Sequence, residues 1–193
     1  MLAALGVTFV VASANLDETQ RPGEPPQALA QRLAREKALA VARHFPGQSV
    51  LGADTIVVLG GLVLGKPSSE DEAMAMLRSL RHDSHEVLSA VFALNPATGQ
   101  EASALSRSLV WMRSYTDGEI AAYVASGDPM DKAGAYAIQN RGFAPVERIE
   151  GCFSGVMGFP LGHVAQVLSA VGLPPVGDVG KACRPFAGHC CQS

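Results

Sequence analysis

Residues 50–67 consist of an apolar run, Val50-Leu51-Gly52-Ala53-Asp54-Thr55-Ile56-Val57-Val58-Leu59, a Gly60-Gly61 pair, and a second run, Leu62-Val63-Leu64-Gly65-Lys66-Pro67. Gly-Gly accepts the positive φ that both central positions of a two-residue hairpin demand, so the two runs are expected to pair as antiparallel strands. That turn sets Leu59 opposite Leu62. Carried on, the register sets Thr55 opposite Lys66 and Asp54 opposite Pro67. Asp54 stands inside an apolar run, where a lone carboxylate costs several kcal/mol to desolvate unless it is paired or lines a wet cleft. Two readings follow: a structural ion pair at a sheet end, or a catalytic acid with a cationic partner. The same stretch almost spells a phosphate loop, Gly60-x-x-x-x-Gly65-Lys66. Pro67 takes the place of the magnesium-binding Ser or Thr, and strand-like Leu62-Val63-Leu64 replaces exposed backbone amides, which excludes that loop.

On the amino-terminal side, the β-branched run Val7–Val11 reads as a strand, and 13–26 as a polar, Pro-containing loop carrying Asp17 and Glu18. From Gln27, Leu29, Leu33 and Val41 recur at multiples of four, the mark of a helix. Lys37 completes that series and so points along the buried stripe, from which a lysine is also able to snorkel to water. Gly47 closes this segment.

Beyond the hairpin, Ser69 and Glu72 read as a capping box opening a helix with Ala73, Met76, Leu77 and Leu80 on its inner face. His82 and His85 are separated by a turn and are not expected to share a metal. Residues 86–94 and 101–112 read as strands joined by Asn95-Pro96-Ala97-Thr98-Gly99. Thr116 and Glu119 form a second capping box, and Gly127-Asp128-Pro129 ends its helix. The segment 131–142 mixes small and polar residues, which suits either a ligand close to the backbone or a tight crossing of elements. Residues 146–149 read as a short strand. Pro160 opens a last helix that buries Val164, Val167, Leu168 and Val171 and stops at Gly172. The expected fold class is α/β, a mixed sheet with flanking helices. Residues 1–172 are expected to form a single domain and 173–193 a loose tail.

Composition narrows the function. The chain has 193 residues, 15 Lys and Arg against 18 Asp and Glu, and a formal charge of −3. A general nucleic-acid binder needs a basic footprint, so that class is excluded, whereas a small polyanion held by a few lysines is not. The apolar start is too short to span a membrane and lacks a basic leader region. Of four cysteines, Cys152, Cys183, Cys190 and Cys191, three lie in the last eleven residues. That spacing matches no disulfide framework, and a reduced, cytoplasmic protein is expected. His189 with Cys190 and Cys191 supplies too few ligands for a structural metal site.

Seven blocks, in order, resemble the Maf family of nucleoside triphosphate pyrophosphatases. They are Asp17-Glu18; Leu33-Ala34-Arg35-Glu36-Lys37-Ala38; Gly52-Ala53-Asp54-Thr55; Gly65-Lys66-Pro67; His85-Glu86-Val87; Asp131-Lys132-Ala133-Gly134-Ala135-Tyr136-Ala137-Ile138-Gln139; and Gly151 with Gly155-Val156-Met157-Gly158-Phe159-Pro160-Leu161. Each block alone is weak, but their order and spacing over residues 1–172 are specific. The resemblance implies an elongated α/β fold with two lobes around a central cleft, and a homodimer. It also implies hydrolysis of a nucleoside triphosphate to the monophosphate and pyrophosphate with a divalent cation (Mg, Mn or Co). It makes Asp54 the base that activates water and Glu18 a metal- or water-positioning carboxylate that would share the metal with Asp54. Lys37, Lys66 and Lys132 become phosphate-facing lysines, and Thr55 and Gln139 base-selecting residues. Thr after the Asp, together with this Gln, resembles the subgroup acting on dTTP and UTP and not the one preferring 7-methyl-GTP.

The sequence departs from the family in places. Leu2–Val7 resembles the end of the helix that follows the family's Ser-x-Ser-x-Arg-Arg loop, so that loop and one specificity arginine have no counterpart. The expectation is a domain truncated at its amino terminus. The alternative is a catalytically impaired nucleotide-binding or cell-division regulatory relative. Smaller departures are Ser89 at a usual Thr, Asn140 at a usual Gly, and Met157 and Phe159 in the last block.

Overall fold

The Gly60-Gly61 turn forms with φ of +56° and +86°. It joins β1 (Val50–Leu59) to β2 (Leu62–Leu64) in the antiparallel register Leu59↔Leu62, Val58↔Val63, Val57↔Leu64. This is the pairing that a two-residue turn dictates. The ladder stops at Leu64, however, so the expected pairs of Thr55 with Lys66 and Asp54 with Pro67 do not form. Two things end it: the Gly65 carbonyl accepts from the distant Gly134 N–H at 3.0 Å, and Pro67 has no N–H to donate.

The structure, a computed structural model, describes residues 1–186. His189, Cys190 and Cys191 lie outside the described residues. One five-stranded sheet runs in the order β2-β1-β3-β4-β5, with β3 (Ser84–Asn95), β4 (Gln100–Met112) and β5 (Val146–Glu150). The helices are α1 (Pro26–Ala42), α2 (Glu70–Leu80), α3 (Asp117–Ala125), α4 (Phe153–Val156), α5 (Leu161–Ala170) and α6 (Val179–Cys183). The expected α/β sheet with flanking helices is borne out. The chain forms two compact units. The first holds residues 1–55, 88–107 and the described residues from Gly151 on; the second holds 56–87 and 108–150.

In the first unit, α1 begins at Pro26, where a proline's missing N–H costs nothing. It buries Leu29, Ala30, Leu33, Ala34 and Ala38. The helix crosses β1 at Gly52, where a side chain is not accommodated: a Cβ there would stand 2.3 Å from Ala34 O and 2.9 Å from Ala38 Cβ. Gly52 and Asp54 share one face of the strand, since side chains alternate. The close crossing therefore brings Lys37, the neighbour of Ala38, beside Asp54. The core of this unit gathers Leu5, Val91, Ala93, Leu161, Val164, Val167, Leu168 and Val171.

Two expectations are corrected here. Val7–Val11 is not a strand: a β-branched run still needs a partner, and Val10 and Val11 are 79% and 86% exposed without one. Within the segment expected to be a loose tail, Val179–Cys183 is helical, with the Asp178 carboxylate accepting from Lys181 N–H at 2.7 Å. Ala182 and Cys183 join the core beside Leu5, and Gly177 N–H donates to Leu5 O at 2.9 Å. Pro and Gly in the sequence masked this small apolar face.

In the second unit, α2 and α3 flank a cluster of Tyr115, Tyr123 and Phe143, the last two stacked at 4.4 Å between centroids. Thr116 and Glu119 form the complete capping box. At α2 only half of it forms. Ser69 Oγ accepts from Glu72 N–H, but the Glu72 carboxylate takes Ser68 N–H at 2.7 Å in place of the Ser69 amide. β4 pairs antiparallel with β5 through Leu109↔Glu150, Val110↔Ile149 and Trp111↔Arg148, with a bulge before Met112. The Arg148 guanidinium lies over the Trp111 ring.

Candidate active site

Asp54 is 8% exposed, and an ammonium meets it. Lys37 Nζ donates to Asp54 Oδ1 at 2.6 Å and lies 2.7 Å from Glu18 Oε1. The cationic partner of Asp54 thus comes from α1 and not from the hairpin. Burial opposes the charge on Lys37, but its hydrogen bonds to Asp54 and Glu18 outweigh that and hold the group above its ordinary value. Lys37 is therefore an ammonium at neutral pH. It supplies charge and donors, and it leaves the role of proton acceptor to a carboxylate.

Glu18 reaches this place from an otherwise exposed loop that is pinned to α1. Asp17 Oδ1 accepts from Thr19 N–H at 2.9 Å, which makes the local turn. Arg32 Nη2 donates to Thr19 O at 3.1 Å, while its Nε donates to Glu24 Oε1 at 2.6 Å and its Nη1 to Glu36 Oε2 at 3.0 Å. The Arg32 guanidinium holds Glu24 well below the usual carboxylate range, to about 2. Arg32 and Glu24 were not legible as site residues. They are eight apart, one on a helix and one on a loop, and no periodicity links them.

Thr55 follows Asp54 on β1 and faces the other way. Its Oγ1 lies 2.7 Å from Ser89 Oγ, and Ser89 Oγ donates to Gly155 O at 2.6 Å. Gly158 sits close by, since a Cβ on it would be 3.4 Å from Thr55 Oγ1. Ser89 and Gly155 stand in two of the seven blocks or beside them, but nothing in the sequence joins them to Thr55.

The remaining residues singled out by sequence belong to the second unit. Lys66 is exposed and makes no ion pair among the described residues. Lys132 Nζ donates to Asp131 Oδ1 at 2.6 Å and Asp128 O at 2.7 Å. Burial opposes its charge, yet the hydrogen bonds to Asp131 and Asp128 hold it above its ordinary value. Gln139 is exposed on the loop after Gly134 and Ala135, both at positive φ (+70° and +58°). Gly134 is required by a close approach, because a Cβ there would meet Val57 Cγ1 at 3.0 Å. The loop is anchored by Asp128, whose Oδ2 accepts from Tyr123 Oη at 2.7 Å and Asn140 Nδ2 at 3.0 Å. Asn140, an odd residue by family pattern, thus has a structural task.

His85 packs edge-on against Tyr136, with Nε2 at 2.7 Å from Tyr136 Oη. It is 1% exposed, and burial pushes it down to about 4 although Asp83 pulls the other way. In the unfolded chain a histidine titrates near 6.5, at roughly its reference value. The folded state therefore holds its full stability above that pH and loses it as pH falls towards 4. We expect this residue to account for a loss of about 2 kcal/mol between pH 7.5 and pH 5. Urea unfolding at both pH values checks this, with His85→Asn showing the smaller loss; an equal loss in the two proteins would contradict it.

Among the described residues no three His, Cys, Asp or Glu side chains gather as a metal cage, and no helix is long and apolar enough to cross a membrane. The sequence matches the family described as Maf-like protein over residues 1–171. It is 47% identical over 174 residues to a protein of Syntrophomonas wolfei named dTTP/UTP pyrophosphatase, covering 89% of this chain and 91% of that one. It is 46% identical over 174 residues to a protein of the same name in Myxococcus xanthus, covering 90% and 87%. A third of that name, in Methanosarcina barkeri, is 40% identical over 169 residues, covering 88% and 86%.

Proposed function

We propose, for a chain that belongs to the Maf family, that it hydrolyses dTTP and UTP to the monophosphate and pyrophosphate. The observation that carries this reading is the ammonium of Lys37 set between the carboxylates of Asp54 and Glu18. Hydrolysis of a phosphoanhydride needs a base beside the attacking water and cations against the phosphate oxygens. Relatives named for this activity share 40–47% of the sequence over most of its length.

In this reading Asp54 takes a proton from water as its oxygen bonds to phosphorus and the link between the α- and β-phosphoryl groups breaks. Pyrophosphate leaves with the bonding electrons. Lys37 steadies the Asp54 side chain and offsets negative charge near it. Lys66 and Lys132 are assigned to phosphate oxygens, and Thr55 and Gln139 to the base. To reach a phosphate, Lys132 exchanges or shares its contacts with Asp128 and Asp131, whose carboxylates are its present partners.

Glu18 and Asp54 would hold the divalent cation. Their carboxylates meet at Lys37 Nζ through one oxygen each, so two hard-oxygen residues stand side by side, and completed by phosphate oxygens they suit Mg, Mn or Co while Lys37 keeps its place. When bound, such an ion supplies charge that stabilises the departing pyrophosphate. The reading extends to a cytoplasmic homodimer that takes a free nucleotide and no nucleic acid.

The test is side-by-side turnover of UTP, dTTP, ATP and GTP with Mg²⁺ or Mn²⁺. We expect UTP and dTTP to lead the purine nucleotides by at least about tenfold in kcat/KM, the usual discrimination of a pocket matched to ring size. A purine nucleotide ahead of both would overturn the assignment.

A further inference from the structure

We infer that Ser89 and the Gly155 carbonyl fix the polarity of the Thr55 hydroxyl, so that Thr55 meets the base only as a hydrogen-bond acceptor and selects the ring N3–H of uracil and thymine over cytosine. The inference rests on the assignment of Thr55 to the base, made above.

The argument is one of counting protons. A hydroxyl has one hydrogen and two lone pairs. A carbonyl has no hydrogen, so in the 2.6 Å contact between Ser89 Oγ and Gly155 O the serine must donate. Its only hydrogen is then spent. In the 2.7 Å contact between Ser89 and Thr55 the serine is left to accept, and Thr55 must donate. Thr55 has now also spent its hydrogen, and only lone pairs remain for a ligand. Ser89 is 1% exposed, so no solvent molecule competes for its place in the chain.

The far end of the relay is rigid. The Gly155 carbonyl also accepts from Gly158 N–H at 2.8 Å, and Gly155 has no room for a side chain, since a Cβ would stand 2.9 Å from Ser106 Oγ. On the Thr55 side, a Cβ on Gly158 would stand 3.4 Å from Oγ1, so the missing side chain leaves space beside that hydroxyl. Both glycines belong to the block Gly155-Val156-Met157-Gly158, which the proposed chemistry has not used.

An acceptor locked in place needs a donor on the ligand. The ring of uracil or thymine offers one N–H, at N3, flanked by two carbonyls. Cytosine offers a lone pair at N3, so it would set two acceptors face to face, a pairing that a polar site rejects strongly. Ser89 acts here as a positioning residue, through Thr55.

The experiment compares kcat and KM for UTP, CTP and 3-methyl-UTP in the parent, Thr55→Val, Ser89→Ala and Ser89→Thr, with thermal unfolding as the control for folding. The parent should prefer UTP over both CTP and 3-methyl-UTP by at least about a hundredfold, as expected when a buried hydrogen bond goes unmade. Ser89→Ala frees the Thr55 proton, and the UTP-to-CTP ratio should fall at least tenfold, chiefly through KM for CTP. Ser89→Thr keeps the hydroxyl and should restore the ratio. Turnover of 3-methyl-UTP within threefold of UTP by the parent overturns the inference and needs no variant. If Thr55→Val weakens UTP use but Ser89→Ala leaves the ratio unchanged, the relay is wrong and the assignment of Thr55 to the base stands. If Thr55→Val changes nothing for any nucleotide, that assignment itself is wrong.

Discussion

Asp54→Asn is expected to lower kcat for pyrophosphate release from UTP by at least about a thousandfold, within the range for loss of a positioned general base. Asparagine keeps the size and one carbonyl oxygen of the aspartate, so Lys37 keeps a hydrogen-bond acceptor at that position and still has Glu18 at 2.7 Å. What it loses is the capacity to take a proton. The folded state should therefore persist, with a thermal midpoint close to the parent's, while turnover disappears. Steady-state kinetics beside thermal unfolding checks this. Activity within threefold of the parent would remove Asp54 from the chemistry and leave the ion pair with Lys37 as a structural one.

Lys37→Met should have the second largest effect, through charge and not proton transfer. Methionine fills the space of the lysine stem, so packing along α1 changes little. Two carboxylates, from Asp54 and Glu18, then lose the ammonium that both contact at 2.6 and 2.7 Å. Loss of one positioned charge facing a developing anion costs about 3 kcal/mol of transition-state stabilisation, or roughly a hundredfold in kcat/KM. Some stability should go too, because the buried Asp54 loses a charged hydrogen-bond donor. Lys37→Arg should recover part of the rate, with the charge retained but the guanidinium too broad for the same seat. Equal kcat/KM in Lys37→Met and the parent would show that this ammonium does not face the reaction.

How far these residues were legible from sequence depends on whether the cause is local. The Gly60-Gly61 turn was legible because two consecutive residues dictate the backbone, and Leu59↔Leu62 follows from that alone. Where the ladder stops was not legible, since that depends on Gly134 taking the Gly65 carbonyl from 69 residues away in the chain. The extrapolated pairing of Asp54 with the end of the hairpin failed for this reason. Its actual partner is set by a helix crossing, and the only local trace of that crossing is the absence of a side chain at Gly52. Lys37 on the buried stripe was a sound clue, but periodicity names a face and not a neighbour.

Elsewhere the competing physics differs. Val7–Val11 has every residue preference of a strand, and no edge to pair with among the described strands. Two sequences that spell the same capping box behave differently: Glu119 closes its box on Thr116, whereas Glu72 finds the amide of Ser68 first. The assignments of Lys132 and Gln139 came from family resemblance alone; the hairpin register singled out Lys66, but only the resemblance made it a phosphate-facing lysine. The Thr55–Ser89–Gly155 chain crosses 34 and then 66 residues of sequence and is visible only as geometry.

The most direct measurement of the central claim is the product balance of the parent protein with UTP and Mg²⁺ or Mn²⁺, followed by phosphorus NMR. The account predicts one pyrophosphate for each UMP, with neither UDP nor inorganic phosphate at early times. Release of UDP and inorganic phosphate, or no cleavage of UTP or dTTP with either cation, would contradict it.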